Sequence, residues 1–343
     1  MDYAASLKID KRCYIDLRSP VEYIADHIPG AMNLPLFDDE QRAKIGAIYH
    51  KISQDQARLT GLELAAPRLP WLMSELSALV TNKQIPILYC WRGGMRSQAV
   101  AKAASLQCLP CLRLSGGYRE YRRWVLTFLA EPLPFSVYTL YGLTGCGKTA
   151  VLRKLGRDHG LQVLDIEGLA QHRGSVFGHI GLAEQPSQKY FQSLFAKELL
   201  GLDATKPLLM ECESRRVGQL LLHDSLYASL KVGKRILLYD TLAGRARRLL
   251  YDYTPRQHLK EVMQALDSPA LQAKFSTVHL LKLKQQVQAG GEQEVIEYLL
   301  AHYYDPLYHY PDSPAKDYAI CINSNNEKEA ATSIAEYIKT TAL

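Results

Sequence analysis

Residues 142–149 read GLTGCGKT, a glycine-rich loop closed by Lys148 and Thr149, and such a loop functions only between a buried strand and a helix. The neighbouring residues supply both. Residues 137–141 (VYTLY) read as an apolar strand and residues 150–155 (AVLRKL) as the helix that follows. In this setting Gly142, Thr144, Gly145 and Gly147 let backbone N–H groups converge on phosphate oxygens, Lys148 adds a point charge, and Thr149 offers a hydroxyl to Mg²⁺. Phosphate binding in a parallel α/β domain is the reading this pattern imposes.

Further strands at residues 162–165, 207–211 and 235–239 alternate with helical segments, the order expected of a parallel sheet, and the chain beyond residue 255 reads as mostly helical. The strand at 207–211 ends in Glu211, with Glu213 beyond, whereas Asp165 and Asp240 end other strands. No aspartate stands out as the metal-binding partner of an ordinary nucleotide hydrolase, so plain NTP hydrolysis is not the expectation.

A second loop lies upstream. Residues 85–89 (IPILY) form a buried strand that delivers Cys90 at its C-terminal end, where open α/β sheets place their ligands, and residues 90–97 read CWRGGMRS. A thiol at the end of a strand is most often simply buried. Here Arg92 and Arg96 bring positive charge, Gly93 and Gly94 let the loop curl, and Ser97 reads as the N-cap of an alanine-rich helix, so the surroundings are those that stabilise a thiolate beside a bound oxyanion. Apolar residues at 69, 72, 73, 76, 79 and 80 predict a helix that buries one face. Pro132 and Pro134 interrupt the periodicity after residue 129 and mark the boundary between residues 1–130 and 131–343.

The bulk properties agree with two domains. A chain of 343 residues with 47% hydrophobic content can fill two cores. No stretch approaches the roughly 18 to 20 apolar residues that cross a bilayer, and residues 1–6 lack the features of a signal peptide, so a soluble, cytoplasmic protein without a membrane partner is expected. Seven scattered cysteines suit reduced thiols better than a disulfide framework. Cys108 and Cys111 have redox-like spacing but make no four-ligand metal site, and Cys146 reads as a small residue within its loop. The net charge of +6 permits a polyanionic partner without requiring one. Three arginine groups (Arg119, Arg122 and Arg123; Arg215 and Arg216; Arg245, Arg247 and Arg248) each read most simply as solvated helix faces.

The front of the chain resembles a rhodanese-like domain, through residues 90–97 and also through residues 15–24 (IDLRSPVEYI) and 27–35 (HIPGAMNLP). The resemblance implies an α/β sulfurtransferase fold with a central parallel sheet, in which Asp16 and Arg18 tie the fold together and Cys90 carries or orients sulfur or selenium. Five residues separate Cys90 from Arg96, more than in common rhodaneses and as many as in phosphatases that share this fold, which favours a tetrahedral, phosphate-sized anion over plain thiosulfate transfer.

As a whole the chain is similar to the bacterial tRNA 2-selenouridine synthases, which join a rhodanese domain to a P-loop domain; residues 167–175 (EGLAQHRGS) and 211–218 (ECESRRVG) add to the two loops. The fold class is then α/β throughout: a rhodanese-like domain followed by a P-loop NTPase-like parallel α/β domain with a helical C-terminal region. The resemblance implies conversion of wobble 2-thiouridine to 2-selenouridine with selenophosphate, through an S-geranyl intermediate made from geranyl diphosphate. It implies tRNA as partner and transient contact with a selenophosphate-producing enzyme; no tightly bound cofactor is expected, and Thr149 is the candidate ligand for Mg²⁺. Arg173, Arg215 and Arg216 are candidates to contact diphosphate or the tRNA backbone, with ion pairing to Glu167, Glu211 or Glu213 as their structural alternative. The aromatic run at residues 302–310 stacks on bases, lines a prenyl pocket or, more simply, packs a C-terminal lobe. Two competing readings are a small-molecule or nucleotide kinase with a regulatory rhodanese domain, and a sulfur-relay module without catalysis.

Overall fold

Four short parallel strands organise the front of the chain in a computed structural model, which describes residues 1–308 and 310–341. They are β1 (Arg12–Asp16), β2 (Met32–Asn33), β3 (Ile85–Tyr89) and β4 (Leu112–Arg113), in the order β2-β1-β3-β4. Central β1 and β3 run in register from Arg12 opposite Ile85 to Asp16 opposite Tyr89, so Leu17 and Cys90 leave the same sheet edge together. Among the helices of this part are α1 (Pro20–Ala25), α2 (Leu69–Thr81), α3 (Met95–Leu106) and α4 (Gly117–Ala130). The apolar stripe of α2 buries Leu72, Met73, Leu76 and Leu79 against Ile15, Leu17, Leu88 and Val100. Leu69 and Val80 close the stripe only partly buried.

Asp16 and Arg18 act as the sequence suggests. The Arg18 guanidinium donates to Asp16 Oδ2 at 2.6 Å and to the Asp26 carbonyl at 2.6 Å, stands 3.9 Å above the Tyr118 ring, and is almost fully buried. Residues Ser187–Lys197 belong to this first unit with Met1–Leu129, although they lie far along the chain. Arg122 donates to Gln192 Oε1 at 2.6 Å and to the Lys189 carbonyl at 3.1 Å, and Ser193 Oγ donates to Asp26 Oδ1 at 3.3 Å. Arg122 is therefore a packing residue rather than part of a solvated face.

The second unit comprises Ala130–Pro186 and the chain from Glu198 onward. Its five parallel strands are β5 (Val137–Tyr141), β6 (Gln162–Leu164), β7 (Leu208–Glu211), β8 (Lys234–Tyr239) and β9 (Ile320–Asn323), with spatial order β9-β8-β5-β7-β6. Helix α5 (Lys148–His159) leaves the loop after β5, α6 (Ile166–Ala170) follows β6, and α7 (Leu242–Tyr253) follows β8. Further on come α8 (Glu292–Leu299) and α9 (Glu327–Thr341). Val151, Leu152 and Leu155 of α5 pack with Ile334 and Ile338 of α9 over Leu140, Leu209 and Ile236 of the sheet. A separate core of Val262, Leu266, Leu283, Val295, Leu299 and Tyr304 fills the helical region, as expected beyond residue 255. The edge strand β9 departs from that helical expectation; its four residues pair only with β8. No helix among the described residues is long and apolar enough to cross a membrane.

Candidate functional site

Each unit presents one loop at the C-terminal edge of its sheet. In the first, β3 ends at Tyr89 and the chain turns down onto the start of α4, where the amides of Tyr118 and Arg119 donate to the carbonyls of Cys90 and Trp91, both at 2.9 Å. The close approach explains Gly117, which has φ +59 and whose added Cβ would collide with the Cys90 carbonyl. Gly93, at φ +63, faces the Leu114 carbonyl in the same crowded corner, whereas a side chain at Gly94 would meet open space.

The placement of Ser97 differs from the sequence reading. Gly94 takes the N-cap position of α3, and Ser97 lies inside the first turn, fully buried. Its hydroxyl donates to the Gly94 carbonyl at 3.2 Å and accepts from the Cys90 thiol at 3.4 Å. Cys90 itself is 3% exposed, and its sulfur lies 3.9 Å from the Gly94 carbonyl. The thiol thus points toward a hydroxyl and a carbonyl, and the Ser97 hydroxyl can turn to donate to the sulfur instead. Arg96 does not bond the sulfur. It donates to Glu22 Oε2 at 2.8 Å, and Arg42 lies 3.6 Å from the same oxygen. Burial alone would raise the Glu22 pKa, but hydrogen bonding and attraction from Arg96, with Arg42, outweigh it and hold the carboxyl below its ordinary range. Arg92 is exposed.

The second loop carries more charge and less slack. Gly142 (φ +150) runs so close to the Leu238 carbonyl of β8 that no side chain fits, and Gly147 (φ +75) turns the chain into α5. Lys148 Nζ donates to the Gly142 carbonyl at 2.9 Å. Burial alone would lower its pKa; attraction to Cys146, Glu213, Glu167 and Glu211 as they ionise outweighs burial and raises it. From α7, Arg245 donates to the Thr144 carbonyl at 3.1 Å and Arg248 to the Gly145 carbonyl at 2.5 Å, pinning the loop. Both are held in turn. Arg245 donates two parallel hydrogen bonds to the Asp305 carboxylate at 2.8 and 2.7 Å, and Arg248 reaches Asp240 and Glu327, each at 3.1 Å. Arg245 is 3% exposed, so these two residues clamp the loop rather than face solvent. Their i, i+3 spacing was the available signal, since it places both on one helix face.

Three carboxylates complete the site. Thr149 Oγ1 lies 2.9 Å from Glu167 Oε2 and 2.6 Å from Glu211 Oε2, and the Glu167 amide donates to Glu211 Oε1 at 3.2 Å. One carboxylate oxygen from each of Glu167, Glu211 and Glu213 falls within 4.8 Å of the others. A hydroxyl has one proton to give, so two carboxylates this close to it repel each other unless a proton or cation intervenes. Burial and mutual repulsion push Glu167 and Glu211 up to about 8 and Glu213 up to about 7. An all-oxygen set beside a P-loop threonine fits Mg²⁺.

A cavity of about 430 Å³ opens over this cradle, lined by Gly142, Thr144, Gly145, Gly147, Lys148 and Thr149 together with Arg153, Arg173 and Glu213. Arg173 is thus brought to the site; it donates to the Ile180 and Asp252 carbonyls and lies 4.8 Å over the Tyr253 ring. Arg215 and Arg216 are not among the lining residues. Arg215 pairs at the surface with Asp224, and Arg216 is exposed in a short hairpin. None of the three pairs with Glu167, Glu211 or Glu213, the alternative considered for them. Within residues 302–310, Tyr303 and Tyr304 pack in the helical core while Leu307, Tyr308 and Tyr310 line the cavity; His309 lies outside the described residues. All seven cysteines, Cys108 and Cys111 included, are free, and Cys146 is buried in the core.

Comparison with known proteins finds two family models in succession along the chain. The rhodanese-like domain family model matches residues 2–123, and that of the tRNA 2-selenouridine synthase AAA domain matches residues 135–286. The tRNA 2-selenouridine synthase of Psychromonas ingrahamii is 31% identical over 89% of this chain and 89% of its own, and that of Nitrosomonas europaea is 31% identical over 90% and 91%. That of Shewanella sediminis is 30% identical over 86% of both. These matches run through both loops and the segments between them, and the chain belongs to the tRNA 2-selenouridine synthase family.

Proposed function

We propose that this protein is a selenotransferase that replaces the sulfur of wobble 2-thiouridine in tRNA with selenium, using geranyl diphosphate at the P-loop and selenophosphate at the Cys90 loop. The observation that carries the reading is the P-loop cavity, where a charged Lys148, a glycine-built amide cradle and three crowded carboxylates surround Thr149. That set suits a diphosphate leaving group. The thiocarbonyl sulfur attacks C1 of the allylic diphosphate, a C–S bond forms, the C–O bond breaks, diphosphate departs with the bonding pair, and the N3 proton of the base is lost to water. Lys148 and the loop amides stabilise its growing charge. Mg²⁺ held by Glu167, Glu211, Glu213 and Thr149 supplies further charge neutralisation when bound.

Geranylation makes the sulfur a leaving group. Selenium of selenophosphate attacks C2, geranyl thiolate departs and takes a proton, and water cleaves the Se–P bond to release phosphate. The Cys90 loop, with Ser97 and the exposed Arg92, orients the selenophosphate anion for this step. A cytoplasmic setting and transient contact with a selenophosphate-producing enzyme follow from the same reading.

The test is mass spectrometry of nucleosides from 2-thiouridine tRNA incubated with both substrates. Lys148→Ala is expected to block geranyl addition, and Cys90→Ala to block selenium incorporation while geranylated tRNA accumulates. Loss of the same step in both variants would refute the division of labour. Magnesium-dependent ATP turnover in the same preparation would instead favour the kinase reading, which the parallel sheet and P-loop also accommodate.

A further inference from the structure

The cavity over the P-loop adjoins a second one within the same unit. It is a slot of about 60 Å³ walled by Val262, Leu266, Val287, Val295 and Leu299 and reaching Tyr304. Thr144, Ser175, Leu249 and Tyr253 line both cavities, so the slot begins where the phosphate cradle ends. Its walls are buried core side chains, Val262 and Leu266 from one helical face and Val295 and Leu299 from one face of α8. Apolar cavities of this kind stay dry and accept apolar guests. A nucleotide base, which carries hydrogen-bonding edges, gains little from a slot walled by valine and leucine; a hydrocarbon gains with every methylene it buries.

We infer that this slot is the tail site of a prenyl diphosphate whose anionic end occupies the P-loop, and that its depth selects chain length. The inference rests on the proposed use of an allylic diphosphate and adds to it where the chain goes. At about 60 Å³ the slot is small, so it takes only the distal end of the chain. The part nearer the diphosphate then lies at the shared mouth, between Leu249 and Tyr253, and the distal end lies among Val262, Val295 and Leu299. A longer chain must push into the packed helical core.

Calorimetric titration of the full chain with inorganic pyrophosphate, dimethylallyl diphosphate, geranyl diphosphate and farnesyl diphosphate tests this. The wild-type protein should bind geranyl diphosphate at least about tenfold more tightly than pyrophosphate, with the five-carbon compound between them. Val295→Phe, which fills the slot, should bring geranyl diphosphate to within about threefold of pyrophosphate while pyrophosphate binding persists. Retention of the full tail preference in that variant overturns the tail site. If Val295→Phe also loses pyrophosphate through misfolding, Leu299→Ala decides by widening the slot: farnesyl diphosphate gaining on geranyl diphosphate supports the assignment, and an unchanged ratio overturns it. A wild-type protein with no preference for geranyl diphosphate over pyrophosphate removes the underlying reading, an outcome distinct from a tail preference that ignores Val295.

Discussion

The two loops occupy equivalent positions at the ends of parallel strands, yet one is built around charge and the other around a buried cysteine. At the P-loop, Lys148 is partly buried with three carboxylates nearby and the loop carbonyls are pinned by Arg245 and Arg248. At the Cys90 loop the nearest arginine with a fixed partner, Arg96, is committed to Glu22, and the sulfur faces a hydroxyl and a carbonyl. A P-loop must present positive charge before its ligand arrives, because buried charge cannot be assembled during binding at low cost. The Cys90 loop needs only a small hydroxyl rotation to change what it offers the sulfur.

The contrast is tested most severely by removing one arginine that supports each loop. Arg248→Ala strips Asp240, itself 5% exposed, of its cation and frees the Gly145 carbonyl, and should cost about 3 kcal/mol in urea unfolding together with most diphosphate affinity. Arg96→Ala breaks a partly exposed pair with Glu22, where the loss should be about 1 kcal/mol. Equal costs would mean that the loops do not differ in how much of their architecture rests on charge.

Much of this was legible in the sequence because the signals are local. The strands before both loops, the glycines of the P-loop and the apolar stripe of residues 69–81 each declare themselves within a dozen residues. The carboxylate cluster does not. Glu167 and Glu211 are 44 positions apart and meet because β6 and β7 pair in parallel, with Leu164 opposite Met210, so that the residues just beyond each strand converge on Thr149. The return of residues 187–197 to the first unit and the clamp by Arg245 and Arg248 are likewise tertiary facts. Ser97 was misplaced as a cap because serine is a strong capping residue, whereas here Gly94 ends the loop and Ser97 is drawn inward by the Gly94 carbonyl and the thiol.

The raised carboxylates make the P-loop unit sensitive to pH in a defined direction. In the unfolded chain Glu167, Glu211 and Glu213 ionise at ordinary values near 4.5, whereas in the folded protein they keep protons until about 8, about 8 and about 7. The folded state therefore binds more protons in that window, and stability is lost as pH rises from about 4.5 to about 8 and levels off above it. Metal displaces those protons. The melting temperature of the metal-free protein should fall between pH 5 and 8, Mg²⁺ should raise it more at pH 8 than at pH 6, and Glu211→Gln should flatten both trends. A melting temperature that rises across this window would contradict the crowded-carboxylate description.

The smallest expected effect addresses the thiol loop. Ser97→Ala removes the one hydroxyl that accepts from Cys90 now and can donate to a thiolate after rotation, while leaving the glycine turns and the Arg96–Glu22 pair in place. Loss of one such hydrogen bond corresponds to about 1 kcal/mol, or somewhat less than tenfold in rate. Selenium incorporation should slow by about that factor, with geranylated tRNA building up ahead of the slowed step and geranyl addition itself unchanged, because Ser97 has no part in the P-loop cavity. A Ser97→Ala protein that slows both steps equally would show that this hydroxyl supports the fold rather than the thiol. One that slows neither would mean that the buried sulfur is addressed by some other group, leaving Arg92 as the residue of the loop to change next.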